Sequence, residues 1–254
     1  MKKFKTDKLR VGIYSSRDEM GSAAARDISA KIAELLKSKE TINMIFAAAP
    51  SQNEVLASLL ADKSIDWSRI NAYHMDEYVG LSPDAPQGFG NFLRDRLFGK
   101  VPFKSVNYID CSASDAEAEA ERYGALLKKN HTDIVVMGIG ENGHIAFNDP
   151  PVADFNDKKT AKVVALDEIC RNQQVNDGCF KKLSDVPTHA ITLTVPTLFN
   201  ADHLFCIVPA QTKAEAVKKT LYESIDEHCP ASILRTHKDA ELYLEPASAS
   251  LLTL

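Results

Sequence analysis

Short apolar runs that alternate with helix-patterned stretches restrict this chain to one class of fold. Runs at residues 9–14, 42–49, 70–75, 133–137 and 204–208 have strand length, and several are apolar at consecutive positions. A strand with one wet face alternates apolar and polar residues, whereas a run apolar on both faces must be covered on both. Weaker strand signals fall at 106–109, 162–165, 190–193 and 242–244. Residues 23–36, 54–61, 115–129 and 213–222 carry apolar spacing of helical period, and 88–97 has room for another helix. Ser16 with Glu19, and Ser114 with Glu117, read as helix-entry boxes. The pattern predicts an α/β fold with a mostly parallel sheet and helices on both faces. No repeat, low-complexity tract or Pro/Gly/Ser-rich linker interrupts it, so residues 1–254 read as one domain.

In such sheets ligands bind beyond the carboxyl ends of the strands. Four polar clusters follow strand ends here: Ser51-Gln52-Asn53, Asp76-Glu77, Gly140 to Asp149, and Gln211 to Lys213. Their delivery to one edge is the first argument for an active site.

Composition narrows the partners. The net charge of −5 gives no dense basic face, so no nucleic-acid partner is expected. No apolar stretch approaches the roughly 18 residues of a membrane span, and the basic N-terminus is not followed by an apolar stretch of signal-peptide length. The five cysteines are odd in number and lack a CxxC pair, which predicts reduced thiols in a cytoplasmic protein. Cysteines and histidines show no paired zinc-ligand spacing, so no metal is expected.

Each cluster has a plain reading beside the chemical one. Gly138-Ile139-Gly140-Glu141-Asn142-Gly143-His144 is a tight turn that either exposes a surface histidine or aims His144 to move protons. It fits a dinucleotide fingerprint in its glycines, but Pro150-Pro151 leaves little room for the helix that such a site needs. Asp149, five residues beyond His144, is suited to fixing its tautomer. Asp76-Glu77 closes a strand as solvated loop or as a carbon base. Ser51-Gln52-Asn53 is a helix cap or an anion site. Lys213, alone, is a surface lysine.

Together the segments HMDEYVGL, GIGENGHIAFNDP, AITLTVPTLFNADH and PAQTKAEAV resemble the glucosamine-6-phosphate deaminase (isomerase) family in order and spacing, over nearly the whole chain. The resemblance implies a modified Rossmann-like sandwich. It implies an enzyme that opens a hexosamine 6-phosphate ring, moves a proton between C2 and C1 and releases ammonia, with no cofactor. It makes Asp76 the enolisation base and His144 the ring-opening group, with Asp149 and Asn142 standing where the family has glutamate and aspartate. Lys213 matches a phosphate-binding lysine, and Ser51, Gln52, Glu77 and Arg171 complete the expected substrate contacts. The phosphate loop departs from the family's ATGSTP as AAPSQN (48–53), and Gln174 stands where the family has a phosphate-binding arginine, one turn beyond Arg171. Residues 151–160 lack a clear allosteric-site pattern. The chain is expected among the hydrolases as well as the isomerases, with a 6-phosphogluconolactonase-like hydrolase or a non-catalytic sugar-phosphate sensor as alternatives. A homo-oligomer is compatible with the sequence.

Overall fold

A computed structural model describes residues 1–176 and 178–253. β1 (Lys2–Thr6) and β2 (Leu9–Ile13) form an antiparallel hairpin. α1 (Arg17–Leu35) starts at Ser16, whose hydroxyl accepts from the Glu19 N–H at 3.1 Å, while the Glu19 carboxylate accepts from the Ser15 N–H at 2.8 Å. The expected capping box is therefore present, with its return arm one residue earlier. β3 (Ile42–Phe46), α2 (Asn53–Ala61), β4 (Ile70–His74) and the short β5 (Asp76–Tyr78) follow. Next come α3 (Phe89–Leu93), β6 (Ser105–Asn107) and α4 (Ala116–Lys129). The cap of α4 is Asp115 and not Ser114, because it is the extended Asp115 whose carboxylate accepts from the Glu117 and Ala118 N–H groups. The chain continues through β7 (Ile134–Met137), β8 (Ala161–Ala165), α5 (Glu168–Asn176), β9 (His189–Leu193), α6 (Val195–Phe199), β10 (His203–Val208), α7 (Ala214–Tyr222) and β11 (Ala240–Leu244).

Eight strands form one sheet in the order β1-β2-β11-β10-β7-β3-β4-β6, parallel at every pairing except β1 with β2. Consecutive residues of its central strands enter opposite cores. Met44 and Phe46 face α1 and α2, whereas Ile45 packs in the cluster that holds Tyr123 and Val217 of α4 and α7. Met44, Ile45 and Phe46 are fully buried, each worth roughly 1.5–3 kcal/mol. The unbroken apolar runs thus have their expected cause, and the α/β class holds.

The sequence signals at 162–165 and 190–193 belong elsewhere. β9 pairs antiparallel with both β5 and β8 in a separate three-stranded sheet. Partner choice depends on contacts distant in sequence, which the local period does not encode.

The order of connection sets the site. From β3 the chain steps outward to β4 and β6, then returns to the other side of β3 with β7 and moves away through β10 and β11. The direction reverses between β3 and β7, and a crevice opens at the carboxyl ends there.

Candidate active site

The four polar clusters leave β3, β4, β7 and β10, which are consecutive in the sheet as β10-β7-β3-β4. Their loops line one cleft of about 820 Å³, open mouth included. Ser51, Gln52, Asp76, His144 and Lys213 all border it.

At one end, the β3 loop turns through Pro50–Gln52 into α2, and the β10 loop turns through Gln211–Lys213 into α7. Two helix starts therefore converge with their N–H groups, an arrangement that favours an anion. Gln52 is fully buried, and its amide nitrogen donates to Ser51 Oγ at 3.1 Å and to the Ile207 carbonyl at 3.3 Å. The side chain thus ties the β3 loop to β10 across the intervening strand. A side chain on Gly138 would sit 3.0 Å from that nitrogen, so glycine makes the crossing possible. Lys213 borders the same end and is 5% exposed.

Asp76 also borders the cleft and is 6% exposed. Burial, then the charges of Glu77 and Asp149, push its pKa well above the ordinary carboxylate value. His74, two residues earlier, fixes its main chain. His74 Nε2 accepts from the Ile109 N–H at 3.0 Å, so Nδ1 carries the hydrogen and donates to the Asp76 carbonyl at 2.9 Å. Burial pushes the His74 pKa down to about 4, so the ring is neutral at pH 7.

His144 is held on one ring edge. Its Nδ1 lies 2.8 Å from Asn142 Oδ1 and 2.9 Å from Asp149 Oδ1. Asn142 Nδ2 donates to Asp149 Oδ1 at 2.8 Å, which turns Asn142 Oδ1 toward the histidine, where it also accepts from the His144 N–H at 3.0 Å. Both neighbours of Nδ1 are acceptors, so Nδ1 carries the hydrogen and Nε2 remains to exchange a proton. Burial acts to raise the Asp149 pKa, but the hydrogen bond and charge of His144, then Asn142 and Cys170, outweigh it and hold the pKa below its ordinary value. Asn142 in place of a second carboxylate supplies one acceptor to the ring and one donor to Asp149. The glycines serve this geometry. Gly143 has φ +84°, and a Cβ on Gly140 would lie 2.0 Å from His144 Cε1.

Two expected contacts lie off the cleft. Glu77 accepts from the N–H groups of Tyr78, Phe89 and Gly90 at 2.9, 3.0 and 2.8 Å, and so anchors the start of α3. Arg171 donates through Nη2 to the Leu183 and Val186 carbonyls, both at 2.9 Å, which turns it toward the segment after α5. Gln173 and Gln174, on the same helix, border the cleft instead. Sequence reading missed Arg17, which also borders the cleft. It lies more than thirty residues before the β3 loop and reads there as part of a helix entry. Cys170 was missed as well: its Sγ, a His144 ring nitrogen and an Asp149 oxygen all lie within 4.8 Å of one another. Those three residues form a His/Asp/Cys group of the kind that holds a metal, but their polar atoms serve the hydrogen-bonded network just described.

Residues 15–244 match the family described as glucosamine-6-phosphate isomerases/6-phosphogluconolactonase. A glucosamine-6-phosphate deaminase of Exiguobacterium sp. is 42% identical over 187 residues, 74% of this chain and 72% of that protein. One from Bacillus cereus is 36% identical over 243 residues, 96% of this chain and 89% of that protein. Among solved structures, a monomeric glucosamine-6-phosphate deaminase superposes with a TM-score of 0.86 at 30% identity, covering 95% of this chain and 99% of that one. Solved 6-phosphogluconolactonases share the fold at 20% identity or less. The expectation of a hydrolase is corrected by these likenesses, since the relatives at 36–42% identity are named deaminases and the hydrolytic lactonases are only distant in sequence. No helix among the described residues is long and apolar enough to cross a membrane. With 230 of its residues inside the matched region, the chain belongs to the glucosamine-6-phosphate isomerase/6-phosphogluconolactonase family.

Proposed function

We propose that the chain is an amino-sugar-phosphate deaminase/isomerase, converting a hexosamine 6-phosphate to a ketose 6-phosphate and ammonia. The observation that carries this reading is the polarity of the cleft. Its lining brings a cation, Lys213, with the hydroxyl of Ser51 together with an acidic set, Asp76 and the His144–Asp149 pair. A hexosamine phosphate has the matching polarity, with phosphate at one end and an ammonium on C2. Glucosamine 6-phosphate is the first substrate to test, and its C4 and C2 epimers are the next.

In this reading Lys213 and Ser51 hold the phosphate, and Gln52 shapes their loop. His144 Nε2 takes the proton of the O1 hydroxyl and returns one to the ring oxygen, so the C1–O5 bond breaks and an aldehyde forms. Asp76 then removes the C2 proton, its electron pair forms C1=C2 and the aldehyde oxygen takes a proton, which gives an enolamine. Protonation at C1 leaves an imine on C2, water adds there, and ammonia departs. Asp149 and Asn142 keep the ring in its working tautomer. Glu77 and Arg171 hold loops rather than substrate. No cofactor enters these steps, and residues 1–254 act as one domain. Five cysteines without a disulfide among the described residues suit a reducing, cytoplasmic setting.

The test is ammonia release from glucosamine, galactosamine and mannosamine 6-phosphates, with 6-phosphogluconolactone as a control. Release from one hexosamine phosphate with formation of a ketose phosphate is the expected result. Lactone turnover without ammonia release overturns the proposal, and tight binding of every sugar without turnover makes the chain a sensor.

A further inference from the structure

We propose that Arg17 is the second cation of the phosphate subsite, occupying from α1 the role for which the β3 loop and α5 supply no cation. The proposal deepens the reading that this cleft takes a sugar phosphate, and rests on it. The need comes from charge. A phosphate near neutral pH carries up to two negative charges, and Lys213 supplies one positive charge. The β3 loop offers neutral Ser51 and Gln52, and α5 offers the neutral amides of Gln173 and Gln174. The arginine of α5, Arg171, is turned away toward two carbonyls. Among the described residues bordering the cleft, the lysine and arginine cations are Arg17 and Lys213.

The local packing places Arg17 there. Gly21 lies four residues further along α1, on the same helix face. A Cβ on Gly21 would lie 2.5 Å from Glu54 Cβ and 2.9 Å from the Glu54 carbonyl carbon, so its absence lets α1 approach the first turn of α2. One turn back from that contact, Arg17 lies over the β3 loop. Its Nε donates to Glu54 Oε1 at 2.7 Å and its Nη2 donates to the Pro50 carbonyl at 2.7 Å. Those two bonds use the side edge of the guanidinium and fix its plane. The end edge, Nη1 with the second Nη2 hydrogen, is the other edge that grips two phosphate oxygens at once. Nη1 donates to no protein acceptor among the described residues. The side chain is 40% exposed and borders the cleft, so an anion can reach that edge. Glu54 offsets part of the charge but holds the fork in place before substrate arrives, which lowers the ordering cost of binding.

The experiment compares the wild type with Arg17→Met, which keeps the aliphatic stem, and Arg17→Lys, which keeps the charge without the fork. Steady-state kinetics on the hexosamine phosphate are read together with competition by inorganic phosphate. Arg17→Met should raise KM and weaken phosphate competition by about ten- to a hundredfold, with a much smaller change in kcat, because phosphate is held in ground and transition states alike. Arg17→Lys should fall between. An arginine that merely staples α1 to α2 would lower the melting temperature and leave phosphate competition unchanged, and that result overturns the proposal. Should the wild type turn over no hexosamine phosphate, the functional reading fails separately. Calorimetric titration of inorganic phosphate then decides for Arg17: weaker binding to Arg17→Met supports it and equal binding overturns it.

Discussion

Gly140→Ala tests whether the turn after β7 exists to aim His144. The backbone at Gly140 is outside the positive-φ region, so alanine imposes no dihedral strain. The added methyl meets the imidazole instead, at 2.0 Å from Cε1, 2.2 Å from Nδ1 and 2.3 Å from Nε2. Ordinary carbon contacts begin near 3.4 Å, so the ring must retreat by more than an ångström. That retreat breaks the Nδ1 contacts to Asn142 and Asp149, which are 2.8 and 2.9 Å long. A misplacement of about 1 Å in a reacting group costs roughly 10²-fold in rate. Gly140→Ala should therefore lower kcat about a hundredfold in ammonia release while circular dichroism stays native. An acyclic substrate analogue, which skips ring opening, should lose much less. His144→Gln provides the decisive comparison. If the methyl acts through the ring, Gly140→Ala in the His144→Gln background should cost almost nothing further, because groups acting as a unit are non-additive. Full additivity of the two changes, or a near-normal kcat for Gly140→Ala, refutes the reasoning.

Asp76→Asn should abolish exchange of solvent hydrogen at substrate C2 with the fold intact. In the wild type the acid limb of kcat/KM should lie above the ordinary carboxylate value of about 4, since burial and two nearby carboxylates raise the Asp76 pKa. Lys213→Ala should raise KM, whereas Arg171→Ala should leave KM unchanged and lower the melting temperature, since its guanidinium caps the Leu183 and Val186 carbonyls. His74 should make stability pH-dependent. The unfolded side chain protonates near 6.5 and the folded one near 4, so its contribution is full above pH 6.5 and is lost as pH falls toward 4. The loss should reach about 3 kcal/mol, read as the difference in urea stability between wild type and His74→Asn across that range.

The central sheet was legible because several of its inner strands are apolar on both faces, and that pattern has one structural solution. The gathering of Ser51, Asp76, His144 and Lys213 was legible for a related reason: each follows a parallel strand, and parallel strands end at one edge. What sequence reading did not reach depends on orientation or on distant pairing. Glu77 follows Asp76 directly, yet successive strand residues point to opposite faces, and Glu77 turns to the α3 N–H groups. Arg171 and Gln174 lie three residues apart on one helix, and only their side-chain directions separate a loop anchor from a cleft residue. Arg17 carried no local mark, because its partners Glu54 and Pro50 are 37 and 33 residues away.

Asp76 breaks the rule that a buried carboxylate finds a partner. No hydrogen-bond donor among the described residues reaches its side chain, and its strongest electrostatic neighbours are Glu77 and Asp149. Glu77 is satisfied by three backbone N–H groups and Asp149 by Asn142 and His144, so the uncompensated group of the acidic cluster is the one facing the cleft. Such an arrangement costs stability, and it is retained where the deficit serves chemistry. In the proposed reading, a substrate ammonium on C2 would remove the deficit. Its charge would favour the ionised form of Asp76 and so supply the base that the reaction needs. A neutral hydroxyl in the same place supplies no such compensation. In the proposed reading, the burial that makes Asp76 a reluctant carboxylate would act as a filter for amino sugars.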